Sequence, residues 1–539
     1  MTLDYLFPKR NMLAMRDARS RFVDRDLMTI QPRQTLRLED GQVWRHRRTR
    51  SLARQMHGWI FYYYLRPFHI DLDDAIAEKL IWLLHTWRDV VGLPPSRIPM
   101  SYHDEATAQR TIALCCLLDD YGPLLSASDQ TFVKDIIREG VDLLVQDEFH
   151  SAGTNHGMFQ DLALMLASSY IDDNEGLYDL AFGRLTAYFK SSYTAEGVHK
   201  EQSPDYHVIV SRHLKEYNQL QGQQASTTEQ SLREVFKASE RYAIATISPL
   251  GSFAPVSDTP PGPVLGRGYG RVYNSDSYRY ALTQGALGTP PDFDRFIADE
   301  AGVAIFREDW RDLDSLYLHF VAAYNSDYHK HSDELSVYLV YKGLEILREA
   351  GPNGYEMSDP YTIYAFSSFA HNTLIVDGEG LPRIDPTKMD KVGLQQVEQQ
   401  GMFDVKGFNH RYEGVKHSRR VTVQPQDDQP NDAKRHVRII DTIESADLHQ
   451  YTLLWHFGPD VRARPSGDTV VIQNASNENL GHLRLRSEGD LKIVQRRGEE
   501  TPDIQGWYFP KNGVHKPADV LQVEFSAATR EVTTDIYLY

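Results

Sequence analysis

Four short segments of this chain gather the side chains that move protons and stabilise charge. Asp147-Glu-Phe-His-Ser-Ala-Gly-Thr-Asn-His-Gly-Met-Phe-Gln160 is a polar loop that runs into a helical pattern, and Gly197-Val-His-Lys-Glu-Gln-Ser-Pro-Asp-Tyr-His207 is another. Tyr328-His-Lys-His-Ser-Asp-Glu-Leu-Ser336 precedes a strand-like run, and Ser367-Ser-Phe-Ala-His-Asn-Thr-Leu-Ile-Val-Asp-Gly378 leads into a short strand and turn. His, Tyr and Asn are the types that general acid–base catalysis and oxyanion stabilisation require. Each segment also has a plain structural reading. Asn155 and Ser203 are helix N-cap types, Pro204 suits a first helical turn, and Asn372 or Asp377 can shape a turn. Four such loops in one chain shift the balance towards chemistry.

The spacing His329-x-His331-x-Asp333 adds a metal reading. In an extended segment alternate residues point to one side. Two imidazoles on that side, with a carboxylate and a third His, can bind Zn²⁺. Surface histidines at a loop end are the alternative.

These loops need elements to hold them. From residue 71 to about 247 the apolar spacing is helical, with segments at 71–88, 106–118, 129–145, 159–170, 177–193, 206–219 and 231–247. Short turns between them predict antiparallel helical hairpins. The Pro- and Gly-rich stretch 248–266 stops this pattern, and a short helix over 277–284 follows. From about residue 300 the period moves towards two, as in 315–320, 335–341, 419–423, 437–440, 451–457, 470–473 and 535–539. Many short strands read as an antiparallel β-sandwich. The expected architecture is a helical domain, 1–295, followed by an all-β domain, 296–539.

Composition narrows the function classes. Lys and Arg number 58 against 75 Asp and Glu, a net charge of −17, which argues against a general nucleic-acid binder. A local basic cleft on an acidic body still admits an anionic ligand. The two cysteines, Cys115 and Cys116, are adjacent in an apolar helical run and read as buried hydrophobes, not a disulfide framework. No apolar run approaches membrane-spanning length, and the opening ten residues carry no signal-like stretch. The sequence as written reads as cytoplasmic, or as periplasmic or secreted where an export signal has been removed. Arg45, Arg47, Arg48, Arg50 and Arg54 can line an anionic-polymer cleft, although a solvated helix face or N-terminal brace is the plainer reading. Trp59 and Tyr62 to Tyr64 read as core.

In order, the four segments resemble the heparinase II/III-type polysaccharide lyases. The matching patterns are Asn-His-Gly-x-x-Gln at 155–160, Glu-x-Ser-Pro-x-Tyr-His at 201–207, His-x-His-x-Asp-x-Leu-Ser at 329–336 and Ser-x-x-His-Asn-Thr-x-x-Val-Asp-Gly at 368–378. The resemblance implies an incomplete (α/α) toroid followed by an antiparallel β-sandwich, with the site in the cleft between them. It implies β-elimination at a uronic acid in an anionic polysaccharide. Asn155 matches the neutraliser of the uronate carboxylate, with His156 assisting, Tyr206 the catalytic tyrosine, and His329 the histidine from the β-domain. Gln160, Glu201 and His207 are assigned to substrate binding. His331, Glu349 and His371 match the ligands of a structural zinc, with Asp333 orienting a histidine. The family usually has Asp-Pro-Gly where this chain has Glu349-Ala-Gly351. No organic cofactor is implied.

Two other functions compete. One is a glycoside hydrolase on an (α/α) toroid, with paired carboxylates such as Asp147 and Glu201. The other is a non-catalytic glycan-binding protein of exopolysaccharide assembly.

Overall fold

The structure is a computed structural model. It describes residues 17–31, 34–38, 42–45, 49–66, 68, 73–171, 175–220, 227–395, 397–398, 401–425, 433–526 and 530–539. The opening residues 1–10, Asp71 and Leu72 of the first expected helix, and Arg47 and Arg48 lie outside these residues. The chain divides into two compact units, Met1–Ser192 and Tyr193–Tyr539.

The first unit is mainly helical, with a two-stranded antiparallel sheet of Leu27–Gln31 and Gln34–Arg37. Its long helices are α1 (Asp74–Val91), α2 (Asp104–Tyr121), α3 (Ala127–Leu144), α4 (Asn155–Ala167) and α5 (Leu177–Ser192). Side-chain caps set several of the starts. Asp73 and Ser126 accept backbone N–H bonds at the heads of α1 and α3, and Gly92, in the left-handed region, ends α1. Helix α2 is buried on nearly every side, including Cys115 and Cys116, and packs against α3 and α4. Burial pushes both thiols well above their ordinary pKa, so they are inert core residues. Trp59 and Tyr62 to Tyr64 are core as well, with Tyr62 donating to Asp120 at 2.7 Å and Tyr63 to Gln109 at 2.6 Å.

The second unit begins with helices α6 (Pro204–Leu220), α7 (Thr227–Ala245) and α8 (Asp276–Leu282), then turns to strands. A five-stranded antiparallel meander runs in chain order: β1 (Arg295–Ala298), β2 (Val303–Arg307), β3 (Tyr317–Val321), β4 (Val337–Tyr341) and β5 (Leu344–Leu347). An eight-stranded, a four-stranded and a two-stranded antiparallel sheet complete the β region among the described residues. Every residue of β3 is buried, because its two faces serve different cores. Leu318 and Phe320 join Val421, Ile439, Leu453, Trp455 and Ile536 in the core among the sheets, whereas Tyr317 and Val321 pack with Tyr242 and Ala245 of α7.

That second core explains where the units divide. Secondary structure changes from helix to strand near residue 295, the boundary expected from the sequence. The compact unit nevertheless begins at Tyr193, because α7 is fastened to β1 and β2 through Phe296, Val303 and Ile305. Among the described residues no helix is long and apolar enough to cross a membrane.

Candidate active site

The expected site residues fall in both units. In the first, Thr154 caps α4: its hydroxyl accepts from the backbone N–H of His156 and Gly157. Asn155 is therefore not the cap, contrary to its structural reading. No hydrogen bond among the described residues uses its carboxamide, and the residue is 8% exposed. Gly157 is required by close packing, since a Cβ there would lie 2.4 Å from the Ser151 carbonyl oxygen. Gln160 is fully buried. Its amide donates to the Phe149 carbonyl at 2.9 Å and accepts from the Ser151 N–H at 2.8 Å, so it braces the loop rather than meeting substrate.

His156 stands between two carboxylates that the motif does not contain. Nδ1 lies 3.2 Å from Asp104 and Nε2 3.2 Å from Glu105, both at the head of α2. Burial opposes a charge on this ring, but the Asp104 bond and the Glu105 charge outweigh it and raise the pKa. Asp104 also takes a bond from Ser151 and pairs with His103 at 2.5 Å; burial opposes its charge, yet these partners hold its pKa well below the carboxylate range. Arg54 pairs with Glu105 at 2.5 Å, while Arg45 and Arg50 are exposed, so one described arginine of that run touches this cluster. The His103-Asp-Glu105 run at a helix head was a readable signal for this cluster.

In the second unit, Tyr206 sits in the first turn of α6, its ring stacked on His329 with centroids 3.5 Å apart and planes 23° apart. His329 Nδ1 lies 2.7 Å from Glu201 Oε2. A carboxylate only accepts, so Nδ1 carries the proton and the neutral ring offers Nε2 as an acceptor. Glu201, expected to bind substrate, is 5% exposed and thus positions His329. Gly197, with φ +81°, lets the Glu201 loop lie against α7, where a Cβ would come 2.5 Å from the Ser239 nitrogen. His207 closes the same loop. It accepts from the His199 N–H at 3.2 Å and faces the Ser239 carbonyl at 2.9 Å, and burial lowers its pKa to about 3. The substrate-binding roles expected for Gln160, Glu201 and His207 are all displaced by such internal contacts.

The expected shared face of His329 and His331 is not formed. His329 has φ +55°, a turn, so the two rings diverge. His331 is buried, 3.0 Å from Asp258 through Nε2 and packed edge-on to Phe366 at 4.9 Å. Lys330 between them is buried and ion-paired with Asp333 at 2.8 Å and Glu334 at 3.0 Å. Burial opposes the Asp333 charge, but Lys330 and the two imidazoles bring its pKa down to about 2.

The expected zinc trio is close without converging. The rings of His331 and His371 are 5.3 Å apart, but Glu349 is taken up by His371 Nδ1 and Ser336 Oγ. His331 Nδ1 and His371 Nε2 are buried without a hydrogen-bond partner, the kind of atom an ion would satisfy. Among the described residues, however, the group whose ligand atoms lie close enough to share an ion is His103, Asp104 and His156, not this trio. As arranged, His331, Glu349 and His371 do not fit a tetrahedral zinc. Asn372 is structural: it ties Val337, Arg348 and His456 together. Asp377 shapes its turn at φ +53° and accepts from Gln450.

The hydrolase pair fares no better. Asp147 is 96% exposed and paired with Arg184, and Glu201 is committed to His329. The sequence motifs also miss Tyr355, whose hydroxyl is 3.4 Å from that of Tyr206. Desolvation, then the nearby Asp258 charge, raises its pKa well above the phenol value, so it keeps its proton.

Residues 290–538 match the family model described as Heparinase II/III-like, C-terminal. No curated protein matches the chain in sequence. Among solved structures, a heparinase III is similar over 100% of this chain and 86% of its own, with a TM-score of 0.77 at 16% identity. A heparan sulfate lyase from Pedobacter heparinus gives 0.66 at 16% identity over 98% and 83%. A chondroitin AC lyase from Streptomyces coelicolor A3, solved with chondroitin sulphate, gives 0.57 at 12% identity over 98% and 78%. The fold is thus that of polysaccharide lyases, an incomplete (α/α) toroid followed by an antiparallel β-sandwich.

Proposed function

We propose that this chain, whose residues 290–538 form a heparinase II/III-like C-terminal domain, is a lyase that cleaves a uronic-acid-containing polysaccharide by β-elimination. The observation that carries the reading is the Tyr206–His329 stack with Glu201 behind it. Elimination needs a base for the C5 proton and an acid for the departing O4. His329, with Nδ1–H held by Glu201, presents Nε2 as the base. The Tyr206 hydroxyl supplies the proton that O4 takes as the C4–O4 bond breaks. The C5–H electrons become the C4=C5 double bond, and no water is consumed.

The C5 proton is weakly acidic because it lies beside a carboxylate, so that charge has to be offset as the enolate forms. By the family resemblance this role would fall to Asn155, whose carboxamide makes no hydrogen bond among the described residues, and the raised pKa of His156 favours the charged form of that ring. The structural zinc of the family resemblance enters no step.

Incubation with heparan sulfate, hyaluronan, chondroitin and alginate, followed by the ultraviolet absorbance of the unsaturated uronate, tests the reading. A rise with at least one polymer is expected. New reducing ends without that absorbance would establish hydrolysis instead.

A further inference from the structure

Several buried cations of the second unit have carboxylate partners. Lys330 pairs with Asp333 and Glu334, Arg411 with Glu334, Arg419 with Asp441 and Arg348 with Glu345. Arg383 is different. It forms no ion pair among the described residues, although the chain carries a net charge of −17. Its Nε donates to the Lys330 carbonyl at 2.5 Å, which leaves the two terminal nitrogens of the fork without a hydrogen bond among the described residues.

The side chain is held in place rather than loose. Its guanidinium carbon stands 3.8 Å from the centre of the Phe366 ring. The backbone on either side is pinned: Leu381 donates to Ser368 at 3.0 Å and accepts from Ser332 at 3.1 Å. Pro382 accepts from Arg411 at 2.6 Å, and Asp385 donates to Tyr324 at 2.6 Å. Phe366 in turn is 6.4 Å from the Tyr355 ring, and the Tyr355 hydroxyl meets that of Tyr206. The carboxylate charge that acts most on Arg383 is Asp258, which also acts on Tyr355 beside the same stack. A half-buried guanidinium stacked on an aromatic ring, with its fork open, is built to receive an oxyanion in a bidentate contact.

We infer that Arg383 is a specificity-determining residue that binds an oxyanion substituent, carboxylate or sulfate, of the saccharide lying against Tyr206 and Tyr355. This rests on the lyase reading and names the charged group that the site selects. The plain alternative is a brace that holds Phe366 and the Lys330 carbonyl.

The test uses wild type, Arg383→Gln and Arg383→Lys on the polymer that the wild type degrades. Arg383→Gln is expected to raise KM by about 10- to 100-fold, the worth of a lost charge-assisted pair, with kcat far less affected. Arg383→Lys, which keeps the charge without the fork, is expected to fall between. An unchanged KM with a lowered melting temperature would establish the brace and overturn the inference. Calorimetric binding of carboxyl-reduced and desulfated forms of the polymer, used because elimination itself needs the uronate carboxylate, separates the two sources: the variant's binding penalty disappears on whichever form lacks the bound group. A penalty undiminished on both forms would also overturn it. Should the wild type eliminate nothing, the lyase reading fails by itself. Calorimetric titration with heparin- and hyaluronan-derived oligosaccharides then decides for Arg383: weaker binding by Arg383→Gln supports it, and equal or absent binding by both proteins refutes it.

Discussion

His156 and His207 both follow a motif residue bet to act on substrate, yet their surroundings are opposite. His156 in the first unit is flanked by Asp104 and Glu105, and its pKa is raised against the pull of burial. His207 in the second unit is sealed between His199 and Ser239, and burial lowers its pKa to about 3. One imidazole is biased towards its charged form; the other is a neutral spacer. His329 is a third case, a ring whose tautomer one carboxylate sets. The difference teaches that a histidine's place in a motif does not fix its role; the acids folded around it do.

The sharpest break between proton-moving and merely structural groups comes at Tyr206. Tyr206→Phe keeps the ring that stacks on His329 and removes only the hydroxyl. Elimination is expected to fall by about 10²–10⁴-fold, the usual contribution of a general acid, with the melting temperature unchanged. Steady-state rates beside a thermal melt check both halves, and a fully active variant would sink the assignment. Glu201→Gln is the next step down. An amide can still meet Nδ1 but no longer requires the Nδ1–H tautomer, so kcat is expected to drop by roughly 10²-fold with KM little altered. A loss confined to KM would return Glu201 to substrate binding.

Much of the scaffold for this comparison is legible in the sequence. The apolar spacing expects a helix at 106–118, and α2 spans Asp104–Tyr121; the alternation at 335–341 contains β4, Val337–Tyr341. Both elements are buried on nearly every side, so they are legible as apolar runs of helix or strand length rather than by one buried face. The site is less legible because its contacts are long-range. Nothing local to Asn155-His156 announces Asp104 and Glu105, some fifty residues earlier. The alternation His329-x-His331 implies a strand, and only the left-handed turn at His329 undoes it. Arg383 carries no motif at all and becomes visible only through its lack of an ion pair among the described residues.

Proton linkage separates the two histidines with a smaller signal. His156 has its pKa raised on folding, so its contribution is fully present below the unfolded value of 6.5 and is lost as pH rises through the folded value. For His207 the sign reverses. The unfolded chain takes up a proton near 6.5 that the native state refuses until about 3, so stability falls as pH drops between those values. Each such group tilts stability by about 1.4 kcal/mol per pH unit within its window. Asp104→Asn is expected to flatten the alkaline limb of melting temperature against pH, and His207→Gln the acid limb. Other buried neutral histidines, His319 and His456 among them, keep part of that acid limb in place. If His207→Gln left the acid limb unchanged, the neutral-spacer reading of that ring would be wrong.

The smallest effect is expected at His331, Glu349 and His371. A structural zinc contributes folding energy outright, and a chelator then unfolds or softens the protein. Here Glu349 already has Ser336 and His371 as partners, and its charge outweighs burial in raising the His371 pKa, so the pair is compensated without an ion. Dialysis against a chelator is therefore expected to leave both melting temperature and elimination rate in place. A drop of several degrees that added zinc restores would show the opposite. The unpartnered Nδ1 of His331 and Nε2 of His371 would then close on a metal, and Glu349 would have to leave Ser336 to join them.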